Sequence, residues 1–288
     1  MDNIKSTCTL TFGDVSENHV GMIKTGDLAD TGFTYEDLIN IKNKIGYGDI
    51  IELENDCIAC TGEHAVDGIN GCHNEKCRGR ELCIEDCETC PTRFKYKVQK
   101  AYILIIRNGV DKLVSKEKIN KEQFSLKPDK KVFMYGRVVN KHARWNLCFS
   151  DKSCEPDYEN KIGTVVAFDD VPETKLLRQK LYEIVGDKAK NLECEANYYY
   201  DIKKCGIGFH GDAERRKVIG VRLGESMPLH FQWFHFNKPI GNRIKFELND
   251  GDIYVMSEKT VGFDWKRRSI PTLRHAAGCE KFLKINKI

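Results

Sequence analysis

The sequence predicts a mainly β chain with flanking helices, an α+β fold, on three observations. Short runs rich in β-branched and aromatic residues recur, among them T-C-T-L-T-F-G (Thr7 to Gly13), Tyr102 to Ile106, Val218 to Gly224 and L-H-F-Q-W-F-H-F around His230 and His235. Turn signals such as Asn108-Gly109 and Asn249-Asp250-Gly251 punctuate them. Helical periodicity is confined to a few segments. A chain of 288 residues fits one large or two ordinary domains and can bury a sizeable core.

Residues 1 to about 50 read as a small α+β lead-in. After the first strand, Thr34 in T-Y-E-D caps a helix carrying Leu38, Ile39 and Ile41, with Gly46 as its stop signal. A short strand follows Gly48, and nothing in this region suggests chemistry; His19 reads as structural. Composition then changes sharply. Cys57, Cys60, Cys72, Cys77, Cys83, Cys87 and Cys90 fall among Gly, Glu and Asn, with too few apolar residues to order the segment by burial. C-I-A-C and C-E-T-C are paired-thiolate spacings, so zinc binding is expected in 57–90, with His64 or His73 available to complete a site. Structural zinc contributes on the order of 10 kcal/mol to such small sites. One ion or two, and a redox-active insertion instead, all fit the spacing. Its expected role is structural, or in binding a protein partner.

Tyr102 to Ile106 reads as a buried strand, and the Lys-rich stretch Ser115 to Lys131 as a solvated linker. The expected boundary therefore lies at 125/126, between an N-terminal α+β region and a C-terminal domain. Thr174 to Val185 is an amphipathic helix, with Leu176, Leu177, Leu181 and Ile184 on one side.

Charge is unevenly distributed. From Asp201 onward there are 17 Lys and Arg against 10 Asp and Glu, a balance of +7, although the whole chain carries only +3. A basic half suits a phosphate backbone, or is simply a solvated surface. No apolar run reaches the ~18 residues that span a bilayer. The start M-D-N-I-K-S-T lacks a secretory pattern, so thirteen cysteines suggest thiols and metal ligation in an intracellular (cytoplasmic or nuclear) setting.

The chemistry concentrates between Asn197 and His275. His210 and Asp212 are two apart, and on a strand such residues project from one face. Joined by His275 from a distant strand, they make a 2-His-1-carboxylate set, which fills one face of an octahedral Fe(II) and leaves the other open. His230 and His235 compete for the third position but lie in an aromatic strand, where packing is the better reading. Trp265, beside Lys266, Arg267 and Arg268, either contacts nucleic acid at a rim or anchors its loop on the domain.

Five segments in order resemble the AlkB-like 2-oxoglutarate/Fe(II) dioxygenases: N-Y-Y-Y-D-I-K-K-C-G-I-G-F-H-G-D-A-E, I-G-V-R-L-G-E, F-Q-W, L-N-D-G-D-I-Y-V-M-S and R-H-A. The resemblance covers the last third of the chain, and more loosely from about Tyr135. It implies a double-stranded β-helix (jelly-roll) core in 126–288, with Fe(II) on His210, Asp212 and His275. It further implies that Asn197 and Tyr199 hold 2-oxoglutarate, while Tyr198 and Tyr200 pack. Lys284 and Asn286 match the first part of the family's R-x-N-x-x-x-R strand, with Lys281 as the other available cation; the second Arg has no counterpart. Lysine there is a point charge without the bidentate fork. Glu214 matches an acidic position that contacts the target base. Arg144 and Trp145 fall in a segment resembling the substrate lid, where an aromatic face can stack on a base while the guanidinium pairs with phosphate; a core Trp beside a surface Arg is the other reading. The implied reaction is oxidative demethylation of an N-alkylated base in DNA or RNA, single-stranded or flipped out, as in repair of alkylated DNA. The alternatives are hydroxylation of a protein or small molecule, or a zinc-organised binding protein with an inactive barrel.

Overall fold

The computed structural model describes residues 5–54, 58–60, 93–95 and 98–285. The chain opens with β1 (Thr7–Gly13), β2 (Val15–Glu17), β3 (Lys24–Gly26), α1 (Tyr35–Ile45) and β4 (Asp49–Glu52). Then come β5 (Ile58–Cys60), β6 (Arg93–Lys95), β7 (Tyr102–Ile106), α2 (Val110–Leu113) and α3 (Lys116–Ser125). The middle holds β8 (Lys131–Met134), β9 (Arg137–Asn140), β10 (Trp145–Ser150), β11 (Val165–Ala167) and α4 (Pro172–Val185). The last third holds β12 (Glu193–Tyr199), β13 (Gly206–His210), β14 (Val218–Gly224), β15 (Met227–His235) and β16 (Lys238–Leu248). It closes with β17 (Ile253–Met256), α5 (Glu258–Val261), β18 (Thr272–Gly278) and α6 (Glu280–Leu283).

The fold is mainly β, with α1, α3 and α4 on one face of the larger sheet. An eight-stranded sheet runs β11-β10-β12-β1-β14-β17-β7-β4, and a four-stranded sheet runs β13-β18-β15-β16. Period-two alternation divides the large sheet into two faces. Leu10, Phe12, Phe149, Ala196, Val221 and Leu223 face the helices, meeting Leu38 and Ile41 of α1, Ile119 of α3, and Leu177 and Leu181 of α4. Ile103, Ile105, Tyr199, Val218, Tyr254 and Met256 share the second core with Leu229, Phe231, Trp233, Leu273 and Ala277 of the small sheet. Phe231 and Trp233 are fully buried there, each contributing roughly 1.5–3 kcal/mol by burial. The Trp233 indole N–H donates to the Leu53 carbonyl at 2.9 Å.

α1 forms where the Thr34 signal placed it: Thr34 and Asp37 cap each other reciprocally, and Gly46 ends the helix at φ 89°. Three expectations change. First, the N-terminal region is not separable from the C-terminal one, because β1 lies between β12 and β14, and β4 and β7 extend the same sheet. A boundary at 125/126 would remove β1 from between β12 and β14 and split the sheet at its middle. Second, the Lys-rich stretch is not a linker but contains α3, capped by Ser115. Ile119 and Gln123, four apart, are fully buried, and Gln123 bonds Thr174 at 2.6 Å and the Tyr198 hydroxyl at 2.8 Å. Two inward positions suffice to dock a helix whose other faces are charged. Third, the tail segment K-F-L-K does not form a strand: β18 ends at Gly278, and Glu280–Leu283 form α6. Most of 57–90, including Cys57, Cys72, Cys77, Cys83, Cys87 and Cys90, lies outside the described residues; Cys60 is placed only as the end of β5. Asn286 lies outside them as well. Cys8, Cys148, Cys154, Cys194, Cys205 and Cys279 are free thiols. Among the described residues, no helix is long and apolar enough to cross a membrane.

Candidate metal centre

β13 and β18 pair antiparallel, with His210 directly opposite His275. The register shifts between Ile207 and His210, a bulge that re-aims the histidine, as such irregularities do beside functional sites. Asp212 lies just past the end of β13 rather than on it, and its amide donates to the Val261 carbonyl at 3.0 Å. Gly211 between the two ligands is required. A Cβ there would overlap the Gly262 carbonyl and meet the Trp265 side chain at 2.7 Å.

The donor atoms of His210, Asp212 and His275 all lie within 4.8 Å of one another. Nε2 of His210 is 3.4 Å, and Nε2 of His275 3.5 Å, from Oδ1 of Asp212. Adjacent ligands at bond lengths of about 2.1 Å lie about 3 Å apart, so this spacing suits one metal ion. Nδ1 of His210 lies 2.8 Å from the Gly208 carbonyl. A carbonyl only accepts, so Nδ1 donates to it, and Nε2 is the ring atom turned toward Asp212 and left for a metal. His275 is buried, and its Nδ1 has no hydrogen-bond partner.

Electrostatics favour ligation. Burial and the neighbouring His210 push the His275 imidazole below its ordinary value, toward the neutral, donating form. Burial alone would raise the Asp212 carboxyl, but the His275 ring, hydrogen bonds from both histidines and the Arg215 guanidinium hold it well below the usual range. Arg215 is buried, with Nη2 2.5 Å from Glu195 and 3.0 Å from Glu214, and Nε 3.9 Å from Asp212. Glu214 is raised by burial and by Asp212 beside it. Two imidazoles and an ionised carboxylate are a donor set that fits Fe(II).

No family model matches the chain. A protein of Acanthamoeba polyphaga mimivirus, "Uncharacterized protein R156", is 43% identical over 289 residues, covering 99% of this chain and 100% of the relative. The chain belongs to the family of that mimivirus protein. Because the match runs end to end, this relative aligns with the metal-centre segment and the N-terminal strands alike.

Other expected residues fall variously. Asn197 and Tyr199 lie on the inner face of β12, Tyr199 in the core shared with the small sheet. Asn197 Oδ1 accepts from Arg144 Nε at 2.5 Å and from Asn146 Nδ2 at 2.8 Å. Arg144 therefore reaches this polar group rather than standing free for phosphate. Trp145 does not face the centre. It pairs with Tyr198, whose side chain points to the helices, and its ring stacks on Tyr200 at 4.3 Å under Lys130. Trp265 serves the anchoring alternative: it packs on Gly211 behind the ligand pair, with Arg274 5.2 Å from its ring.

Lys284 is on the surface, its side chain 65% exposed and paired with Glu280, and Lys281 is exposed over Phe282. Both thus lie on the surface rather than among the inward-facing residues of the large sheet. His230 faces away from the centre: it pairs with Ala276, the residue after His275, and burial with Arg243 and Lys245 lowers it to about 4. His235 sits at the end of β15 against Phe236.

Sequence reading missed Arg215, Asn146 and the inward residues of β1. In the sequence Arg215 is the first of three consecutive basic residues, with Arg216 and Lys217. Its spacing of three from Asp212 was the available signal, since a turn brings such residues together.

Proposed function

We propose that the chain is an Fe(II)- and 2-oxoglutarate-dependent dioxygenase on a double-stranded β-helix, and that it oxidatively demethylates N-alkylated bases of DNA or RNA. The observation that carries the reading is the convergence of His210, Asp212 and His275 between two facing sheets, with one histidine tautomer fixed by Gly208. The three ligands would hold the metal from one side. When bound, Fe(II) would supply the redox chemistry that couples oxidation of 2-oxoglutarate by O2, to succinate and CO2, to hydroxylation of the substrate by the second oxygen atom. Asn197 and Tyr199, on the large sheet opposite, would orient the co-substrate. Phe231, whose ring is 6.0 Å from that of His275, excludes water on the small-sheet side. The substrate class rests on the family resemblance, on Glu214 beside Asp212, and on the exposed cations Lys266, Arg267 and Arg268.

The test supplies Fe(II), 2-oxoglutarate and methylated single-stranded DNA or RNA, and measures succinate and formaldehyde. Both should form, and binding to the oligonucleotide should weaken steeply with salt. Iron binding that does not depend on His210 and Asp212 would sink the oxygenase reading. Succinate without demethylation of any oligonucleotide would keep the oxygenase and remove the nucleobase.

A further inference from the structure

Arg222, on β14, is fully buried. By contrast, Arg274 donates to Asn237 and lies over Phe234, and Arg215 meets three carboxylates. Arg222 has none within ion-pair distance among the described residues. Its Nη1 meets only the weakly accepting Sδ of Met227 at 3.7 Å, and its Nε has no partner at all. A buried, unpaired cation is costly, and no structural role is visible that a methionine would not fill better.

The strand registers place what surrounds it. Asn146 of β10, Asn197 of β12, Thr9 of β1 and Arg222 of β14 form one inward row across four strands. Thr9 Oγ1 is also buried without a partner. The guanidinium carbon lies 5.9 Å from the Tyr199 ring centroid. On the other side Tyr254 of β17 lies across Gly220, where a Cβ would overlap its ring. Tyr254 is buried in the core shared by the two sheets, together with Tyr199.

We infer that Arg222 is the anchor for the distal carboxylate of a short 2-oxo dicarboxylate whose other end meets the metal, with Thr9 and Tyr199 completing the cradle. The inference rests on the oxygenase reading of the metal centre. A carboxylate is the group that matches. It carries the one negative charge the site lacks, and its two oxygens accept the guanidinium fork while leaving lone pairs for hydroxyl donors. The cation thus comes from the third strand of the motif region rather than from the chain end, where Lys281 and Lys284 lie on the surface. The departure of K-F-L-K-I-N-K from the family pattern is thereby compensated elsewhere in the sheet.

The test is calorimetric titration of the Mn(II)-loaded protein with 2-oxoglutarate and with 2-oxobutyrate, which has the same head and no distal carboxylate. Wild type should prefer 2-oxoglutarate by about 100-fold or more. Arg222→Met should abolish that preference while leaving Mn(II) affinity unchanged, and Arg222→Lys, which keeps charge but not the fork, should fall between. Without ligand, Arg222→Met should melt a few degrees higher, about 2–4 °C, because an uncompensated charge is gone. If wild type binds neither 2-oxo acid, the oxygenase reading fails and takes this one with it. If wild type discriminates and Arg222→Met still does, Arg222 alone is misassigned. Should Arg222→Met not fold, the wild-type ratio and Arg222→Lys decide: equal binding of the two acids, or full preference in the lysine variant, overturns the assignment.

Discussion

Replacing Arg215 with glutamine tests the charge balance beneath the metal centre. Its guanidinium is buried and stands 2.5 Å from Glu195, 3.0 Å from Glu214 and 3.9 Å from Asp212. At an effective dielectric of about 20, an ion pair near 4 Å is worth about 4 kcal/mol before desolvation. Desolvation cancels much of that, but removing one partner leaves the others buried and unpaired, which costs about 3–5 kcal/mol. Arg215→Gln should therefore destabilise the metal-free protein by about that amount at pH 8, measured by urea unfolding. The sign with pH follows from the carboxylates left behind. Glu214 already has a raised folded pKa, from burial and then from Asp212, and losing Arg215 raises it further. The native variant then binds more protons than the unfolded chain, so the destabilisation shrinks as pH falls from 8 toward 5. A loss below about 1 kcal/mol at pH 8, or one that grows on acidification, would refute the reasoning.

Gly220→Ala should cost about 1–3 kcal/mol in urea unfolding and weaken 2-oxoglutarate binding, because its Cβ would displace the Tyr254 ring. His230 is held at about 4 by burial and nearby cations, below its unfolded value. Its neutral form thus adds stability that is complete above the unfolded pKa and is lost as pH falls toward 4; His230→Gln should flatten that part of the stability–pH curve. In the cysteine-rich segment, Cys57→Ser with Cys60→Ser should lower bound zinc by elemental analysis while iron loading at His210, Asp212 and His275 persists. Unchanged zinc would defeat that assignment.

Sequence alone determined the local elements whose causes are local. The Thr34 capping box, the Gly46 stop, the amphipathic α4 and the alternation of Val218–Gly224 all act within one turn or one strand, so adjacent residues suffice to specify them. It also marked His210 and Asp212 as a pair, though not the bulge and post-strand turn that aim them. Only tertiary structure decided what depends on distant partners. Trp145 and Asn146 are neighbours, yet register sends the first to the helices and the second to the polar row, since a strand alternates and only its pairing says which face is inside. Thr9 and Asn197 are separated by most of the chain but pair side by side, which put an apparently inert N-terminal strand in the site. Arg215 and Arg222 read as ordinary basic residues. Their burial, one with three carboxylates and the other with none, arises from the closing of one sheet on another, and no spacing along the chain encodes it.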